Sequence, residues 1–177
     1  DTGVANGIPF FNAMGVGFDA EISHRFNRLS HRGLPAYVHT TFGTLFRFRS
    51  QTYIIRCGDM SITTSAFIIS VANSDQYGND CFIAPGALVD DGRLNITVLK
   101  SIHLFNALPI AVRLFTKSID GSASVQRLLG PRFSIERPAR GLLHTDGETH
   151  ETDALIEVTV RPRSLRVMVP RFHALAA

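Results

Sequence analysis

From Gln51 to Asn73 the chain reads as strand with little interruption. QTYIIRC (Gln51 to Cys57) and MSITTSAFIISVAN (Met60 to Asn73) are dense in Ile, Thr, Tyr and Phe, whose branched or aromatic side chains fit a pleated, half-buried surface. The same chemistry returns further on. LNITVL (Leu94 to Leu99) alternates after a turn at Asp90-Asp91-Gly92, and RFSIER, GLLHTD, ALIEVTV and LRVMVP are all strand-like. Many short strands separated by turn residues predict antiparallel pairing rather than a parallel βαβ sheet.

Helical spacing is confined to three places. DAEISHRFNRL (Asp19 to Leu29) sets Ile22, Phe26 and Leu29 on one side. LPAYVHTTFGTLFRF (Leu34 to Phe48) places Pro35 at a first helical position and aligns Val38, Phe42, Leu45 and Phe46, with Gly33 separating it from the helix before. SIHLFNALPIAVRLFTKS (Ser101 to Ser118) predicts a helix with Pro109 as a break or kink. IPFFNAMGVGF (Ile8 to Phe18) reads as one short buried strand entering a glycine turn, and SDQYGND (Ser74 to Asp80) as a loop. No repeat or linker divides the chain. The expected fold is α+β and mainly β: an antiparallel β-sandwich with a few helices at one end, in one domain over residues 1–177.

Composition narrows the function classes. Hydrophobic residues make up 45%, enough for a core, and the net charge of +3 without a basic run argues for anionic small ligands or lipid surfaces and against nucleic acid. Cys57 and Cys81 form no C-x-x-C pair and read as two buried free thiols in a reducing compartment. Asp1-Thr2-Gly3 lacks the pattern of a signal peptide, and no window reaches the ~18 apolar residues of a membrane span.

GVGFDA (Gly15 to Ala20) matches G-x-G-x-x-A between a strand and a helix. However, no Asp or Glu occurs between Glu21 and Asp59, where a dinucleotide site needs its ribose ligand, so the pattern reads as a tight turn with close helix packing. Neither a G-x-x-x-x-G-K-[ST] loop, a G-x-S-x-G elbow nor H-E-x-x-H is present. HTDGETH (His144 to His150) carries four titratable groups in seven residues. If extended it would align His144, Asp146, Glu148 and His150 as metal ligands, but Asp-Gly is a turn dipeptide and a turn destroys that face. A solvated polar turn and a catalytic or cation-binding carboxylate pair both remain open. VDDGRL (Val89 to Leu94) is an acidic turn of the kind that can also hold Mg2+ or Ca2+.

Taken in order, FFNAMGVGFDAEI, LPAYVHTTFGTL, ISVANSDQYGND with CFIAPGALVDDGRLNITVLK, HTDGE and IEVTVRPRSLRVMVP resemble the C-terminal half of the diacylglycerol kinase and sphingosine kinase-like lipid kinases, over nearly the whole chain. The resemblance implies the substrate-side domain of a two-domain enzyme, without the nucleotide domain that carries a G-G-D-G-T loop for ATP. It implies that Glu148 of DGE points at the site of phosphate transfer and that Asp146, its catalytic neighbour, is a carboxylate that either supports the site from behind or stands on the metal side, the turn being anchored by the strand Leu155 to Val160. It also implies a structural divalent cation at the DDGRL turn, held by the Asp91 side chain and the backbone carbonyls of Leu88 and Arg93.

Implied co-reactants are ATP and Mg2+, and the implied partners are a lipid alcohol and the membrane that carries it, with a cytoplasmic, membrane-peripheral location; a homodimer is compatible with the resemblance. Phe42, Phe46 and Phe48 beside Arg47 and Arg49 would suit an acyl-chain pocket with a basic rim, or serve as ordinary core aromatics and solvated arginines. The alternative is a stand-alone, non-catalytic β-sandwich that binds lipid or a protein. The DNA upstream of Asp1 separates the two: an in-frame G-G-D-G-T supports the kinase, a start codon at Asp1 the binding module.

Overall fold

Every ladder among the described residues is antiparallel. The computed structural model describes residues 1–29, 41, 43–45, 47–102 and 104–168. In chain order the elements are β1 (Thr2–Ala5), β2 (Ile8–Phe10), β3 (Ala13–Gly17), α1 (Phe18–Asn27), β4 (Gln51–Cys57), β5 (Met60–Ala66), β6 (Ile68–Ala72) and β7 (Leu94–Leu99). Then follow α2 (Leu104–Phe115), a 3-10 turn (Ile119–Gly121), β8 (Val125–Gly130), β9 (Arg132–Glu136), β10 (Gly141–Thr145), β11 (Glu148–Thr152) and β12 (Leu155–Arg161). They form two six-stranded sheets, in the orders β2-β1-β12-β9-β4-β5 and β11-β10-β3-β6-β7-β8. This is the expected antiparallel sandwich.

The two sheets have different sequence patterns for a physical reason. Sheet one has a wet face along β4, β9 and β12, so these strands alternate: Tyr53 and Ile55, Phe133 and Ile135, and Ile156 and Val158 point inward between more exposed neighbours. Sheet two is covered on both faces. Its β7 is buried at all six positions and β6 at four of five. Met14, Val16, Ile69, Val71, Ile96 and Val98 fill the interior against sheet one. On the other side, Phe18 and Ile22 of α1 pack with Phe67, and Ile110 of α2 packs with Leu99 and Ile119. Each fully buried Ile, Val or Phe contributes about 1.5–3 kcal/mol against conformational entropy.

Several expectations change. The segment Ile8 to Phe18 is two strands in different sheets, because the N–H groups of Phe11, Asn12 and Ala13 turn to a side chain at Asp146 instead of continuing a ladder. Residues 165–168 of LRVMVP form no strand, and Val167 and Met168 lie 70% and 99% exposed. β1, β8 and β11 are strands that the sequence reading did not single out. α2 runs through Pro109, whose missing N–H costs only a bond near the start of the helix. Most of the helix expected over Leu34 to Phe48, with Phe42 and Phe46, lies outside the described residues. Cys57 and Cys81 are free but half-buried, and burial pushes the Cys81 thiol up to about 11.

Candidate active site

Gly15 of β3 lies directly opposite His144 of β10 on the outer face of sheet two, where α1 covers it. A Cβ at Gly15 would stand 2.4 Å from Asp19 Oδ2 and 2.5 Å from His144 Nε2. The missing side chain is what lets the first turn of α1 bring Asp19 down onto His144. The next glycine serves the turn: Gly17 has φ 84°, and a Cβ there would meet the Phe67 carbonyl at 2.5 Å. GVGFDA is thus a strand-to-helix junction, in a sheet whose neighbours run antiparallel on both sides of β3.

His144 Nε2 lies 2.8 Å from Asp19 Oδ2, and the Tyr77 hydroxyl donates to the same oxygen at 2.7 Å. Burial alone would raise the Asp19 carboxyl, but the His144 charge and the hydrogen bonds from His144 and Tyr77 outweigh it and hold Asp19 below the usual carboxylate range. Burial likewise opposes a charged His144, and Asp19, with a smaller push from Asp146, holds it above the usual histidine value. The Gly147 N–H approaches His144 Nδ1 at 3.4 Å, a weak contact that only the neutral ring can accept.

Above this pair sits the hairpin β10–β11. Thr145 pairs with Glu148, and Asp146 and Gly147 form its two-residue turn with φ of 50° and 89°, the signature of a type I′ turn. The turn is tied through both residues. Asp146 N–H donates to the Ala13 carbonyl at 2.8 Å, and the Gly147 carbonyl accepts from Asn27 Nδ2 at 2.8 Å. The Asp146 carboxylate accepts three backbone N–H groups, from Phe11 at 2.7 Å, Asn12 at 2.9 Å and Ala13 at 3.0 Å. Asp146 is therefore a clamp between the hairpin and the crossing from β2 to β3. Glu148 is different: it is exposed, and its carboxylate has no hydrogen bond or ion pair among the described residues. It lines a cleft of about 340 Å³ together with Asn12, Asp19, Tyr77, His144 and Asp146.

The other candidates lie apart from this cleft. The hairpin separates the four groups of HTDGETH; His150 Nε2 lies 3.0 Å from the Thr145 hydroxyl, and no cluster of three or more His, Cys, Asp or Glu suited to a metal occurs among the described residues. At the turn before β7, Asp91 Oδ1 accepts the Arg93 N–H at 2.9 Å, while Leu88 is 58% exposed. One carboxylate with two carbonyls is an all-oxygen set, which fits a hard divalent cation. Phe48 packs edge-on against Phe18 and Phe67 at 5.6 and 5.2 Å between ring centres, a core role, and Arg47 and Arg49 are exposed. Sequence reasoning missed Asp19, Tyr77 and Asn12. The only signal for Asp19 was its place just after the glycines, since its partner His144 lies 125 residues away.

Comparison with known proteins agrees with this architecture. The chain is 28% identical over 180 residues to the uncharacterized protein sll0036 of Synechocystis, covering 96% of this chain and 41% of that one. It is 24% identical over 168 residues to a Shewanella frigidimarina protein named "Probable lipid kinase YegS-like", covering 94% and 54%. It thus spans about half the length of these curated relatives. In fold it is similar to a diacylglycerol kinase crystal structure from Bacillus anthracis, with TM-score 0.61, 19% identity and coverage of 89% of this chain and 49% of that one. The sequence profile of one family matches residues 12–169, and the chain belongs to that family, the YegS C-terminal NAD kinase beta sandwich-like domains.

Proposed function

We propose that this domain forms the acceptor side of an ATP-dependent lipid kinase, with Glu148 as the carboxylate beside the lipid hydroxyl. The observation that carries the reading is the contrast within one turn: Asp146 is fully engaged by three N–H groups, while Glu148 is held on a rigid hairpin with its carboxylate free. A rigid strand edge with one free carboxylate suits a group that must meet a substrate. In the proposed transfer the lipid hydroxyl oxygen forms a bond to the γ-phosphorus of ATP. The bond from that phosphorus to the ADP oxygen breaks, and the hydroxyl proton passes to Glu148. Mg2+ bound with ATP would supply neutralisation of the phosphate charge. In a two-domain protein containing this chain, Glu148→Gln should keep the fold and ATP affinity and lower kcat by about 100-fold or more. Wild-type turnover in that variant, measured with radiolabelled ATP and mixed lipid alcohols, would sink the assignment.

The proposal extends to the turn at Asp91, where the side chain and the carbonyls of Leu88 and Arg93 would hold a structural divalent cation. A rise in Tm with millimolar Mg2+ or Ca2+ that vanishes in Asp91→Ala is the expected result. Equal shifts in both proteins would refute this ligand set.

A further inference from the structure

A second cavity, about 280 Å³, lies between the start of α1 and the link from β9 to β10, with Gly17, Phe48, Tyr53, Arg137, Arg140 and Leu142 among its walls. It shares no lining residue with the cleft at Glu148. Arg137 is only 6% exposed. Its Nη2 donates to the carbonyls of Gly141 and Thr152 at 2.7 Å and of Asp153 at 3.2 Å, and to the Thr152 hydroxyl at 2.8 Å. Its Nη1 donates to the Leu142 carbonyl at 2.6 Å, and its buried Nε–H has no acceptor. No carboxylate pairs with this guanidinium among the described residues. Neutral carbonyls can satisfy N–H groups without balancing a charge, and Asp153, close enough to favour the charged guanidinium, stands outside ion-pair distance, so the buried charge is only partly compensated.

Other groups around the cavity decide what it can hold. α1 opens at Gly17 without a side-chain cap, but the Phe18 N–H donates to the Phe67 carbonyl at 2.9 Å and Asp19 and Glu21 stand in its first turn, so the helix start adds little positive charge. The buried Tyr53 hydroxyl has one long contact, 3.4 Å to Gln51 Oε1, and burial pushes it up to about 12, so it stays a donor. Arg140 stands on the rim, 3.3 Å from Glu151, with both side chains two-thirds exposed. The acid on the wall, Glu21, is tied to Arg25 at 2.6 Å.

We propose that this cavity binds a phosphate group, held by the buried guanidinium of Arg137 with its unpartnered Nε–H and by the Tyr53 hydroxyl. The phosphate could belong to a lipid headgroup or be free in solution. The inference does not depend on the kinase reading, and it is tested on the 177-residue chain by binding alone. NMR of the Arg137 Nε–H resonance reports the site directly while inorganic phosphate is added, and in a separate arm dihexanoyl phosphatidic acid. A saturable shift in the millimolar range or tighter is expected. A shift with both ligands assigns the phosphate group itself, with phosphatidic acid alone a lipid source, and with inorganic phosphate alone a free anion. Tyr53→Phe should weaken binding about tenfold, the scale of one hydrogen bond to a charged group, while Arg140→Gln changes it little. An Arg137 resonance unmoved by either ligand would overturn the proposal. So would binding that depends on Arg140 and is indifferent to Tyr53→Phe. Because the Nε–H resonance is read in the unmodified protein, a folding defect in a variant leaves the test intact.

Discussion

Gly15 decides whether Asp19 and His144 can meet. An added Cβ would lie well inside contact distance of both polar atoms, so Gly15→Ala should cost about 1–3 kcal/mol by overpacking and separate the pair. The pair also has a pH signature. Asp19 is held below its ordinary 3.8, so its contribution is whole above 3.8 and is lost as pH falls through the lowered value. His144 is held above its ordinary 6.5, so its contribution is whole below 6.5 and is lost as pH rises through the raised value. Both halves describe one interaction, which is therefore strongest between about pH 4 and 6.5. His144→Gln keeps a hydrogen-bond donor without the charge. In urea unfolding its deficit against the wild type should be largest in that window and shrink toward pH 9. A deficit that does not change with pH would mean that no charged pair forms. The sequence placed His144 in a chemically dense segment but could not supply Asp19, because the contact depends on strand register and a missing Cβ.

Elements were legible where one face is wet. The alternation in QTYIIRC and ALIEVTV shows which side is buried, and β4 and β12 follow it. LRVMVP alternates too, yet residues 165–168 pair with no strand; composition cannot show whether a partner is available. Asn6-Gly7 closes β1 to β2 with φ of 47° and 84°, a second type I′ turn whose dipeptide was a readable hairpin signal. α2 has an outer face that the sandwich does not use. Phe105, Leu108, Val112 and Phe115 recur at helical spacing and are 92%, 73%, 52% and 59% exposed, and the first turn holds no acidic residue. No helix among the described residues is long and apolar enough to cross a membrane. Under the proposed lipid-kinase reading, this short, apolar, acid-free face on a basic chain would meet the surface of an anionic bilayer. Phe105→Ser with Phe115→Ser should change stability by under about 0.5 kcal/mol, since both are exposed, and should reduce sedimentation with phosphatidylserine vesicles severalfold. Wild-type binding by the double variant would rule out membrane contact through this face.

At the scale of the whole molecule, folding and catalysis make different demands. Folding needs the ladder β1–β12, which joins the two ends of the described chain, and a core shared by both sheets. Both are complete within these residues. Phosphoryl transfer needs in addition a loop that cradles ATP phosphates, and the sequence contains no G-G-D-G-T or P-loop pattern. The cleft at Glu148 is lined by three carboxylates, two amide side chains and a phenol, but by no free cation to hold a triphosphate: His144, the one lining residue able to carry a positive charge, is buried against Asp19. The 177-residue chain should therefore unfold cooperatively, with far-UV circular dichroism and tyrosine fluorescence giving coincident urea transitions. It should transfer no label from radiolabelled ATP to a mixture of diacylglycerol, sphingosine and ceramide. Non-coincident transitions would show that the sandwich depends on further chain for its integrity. Labelled lipid from the isolated chain would show that this domain carries an ATP site of its own, and would contradict the division of labour proposed for Glu148.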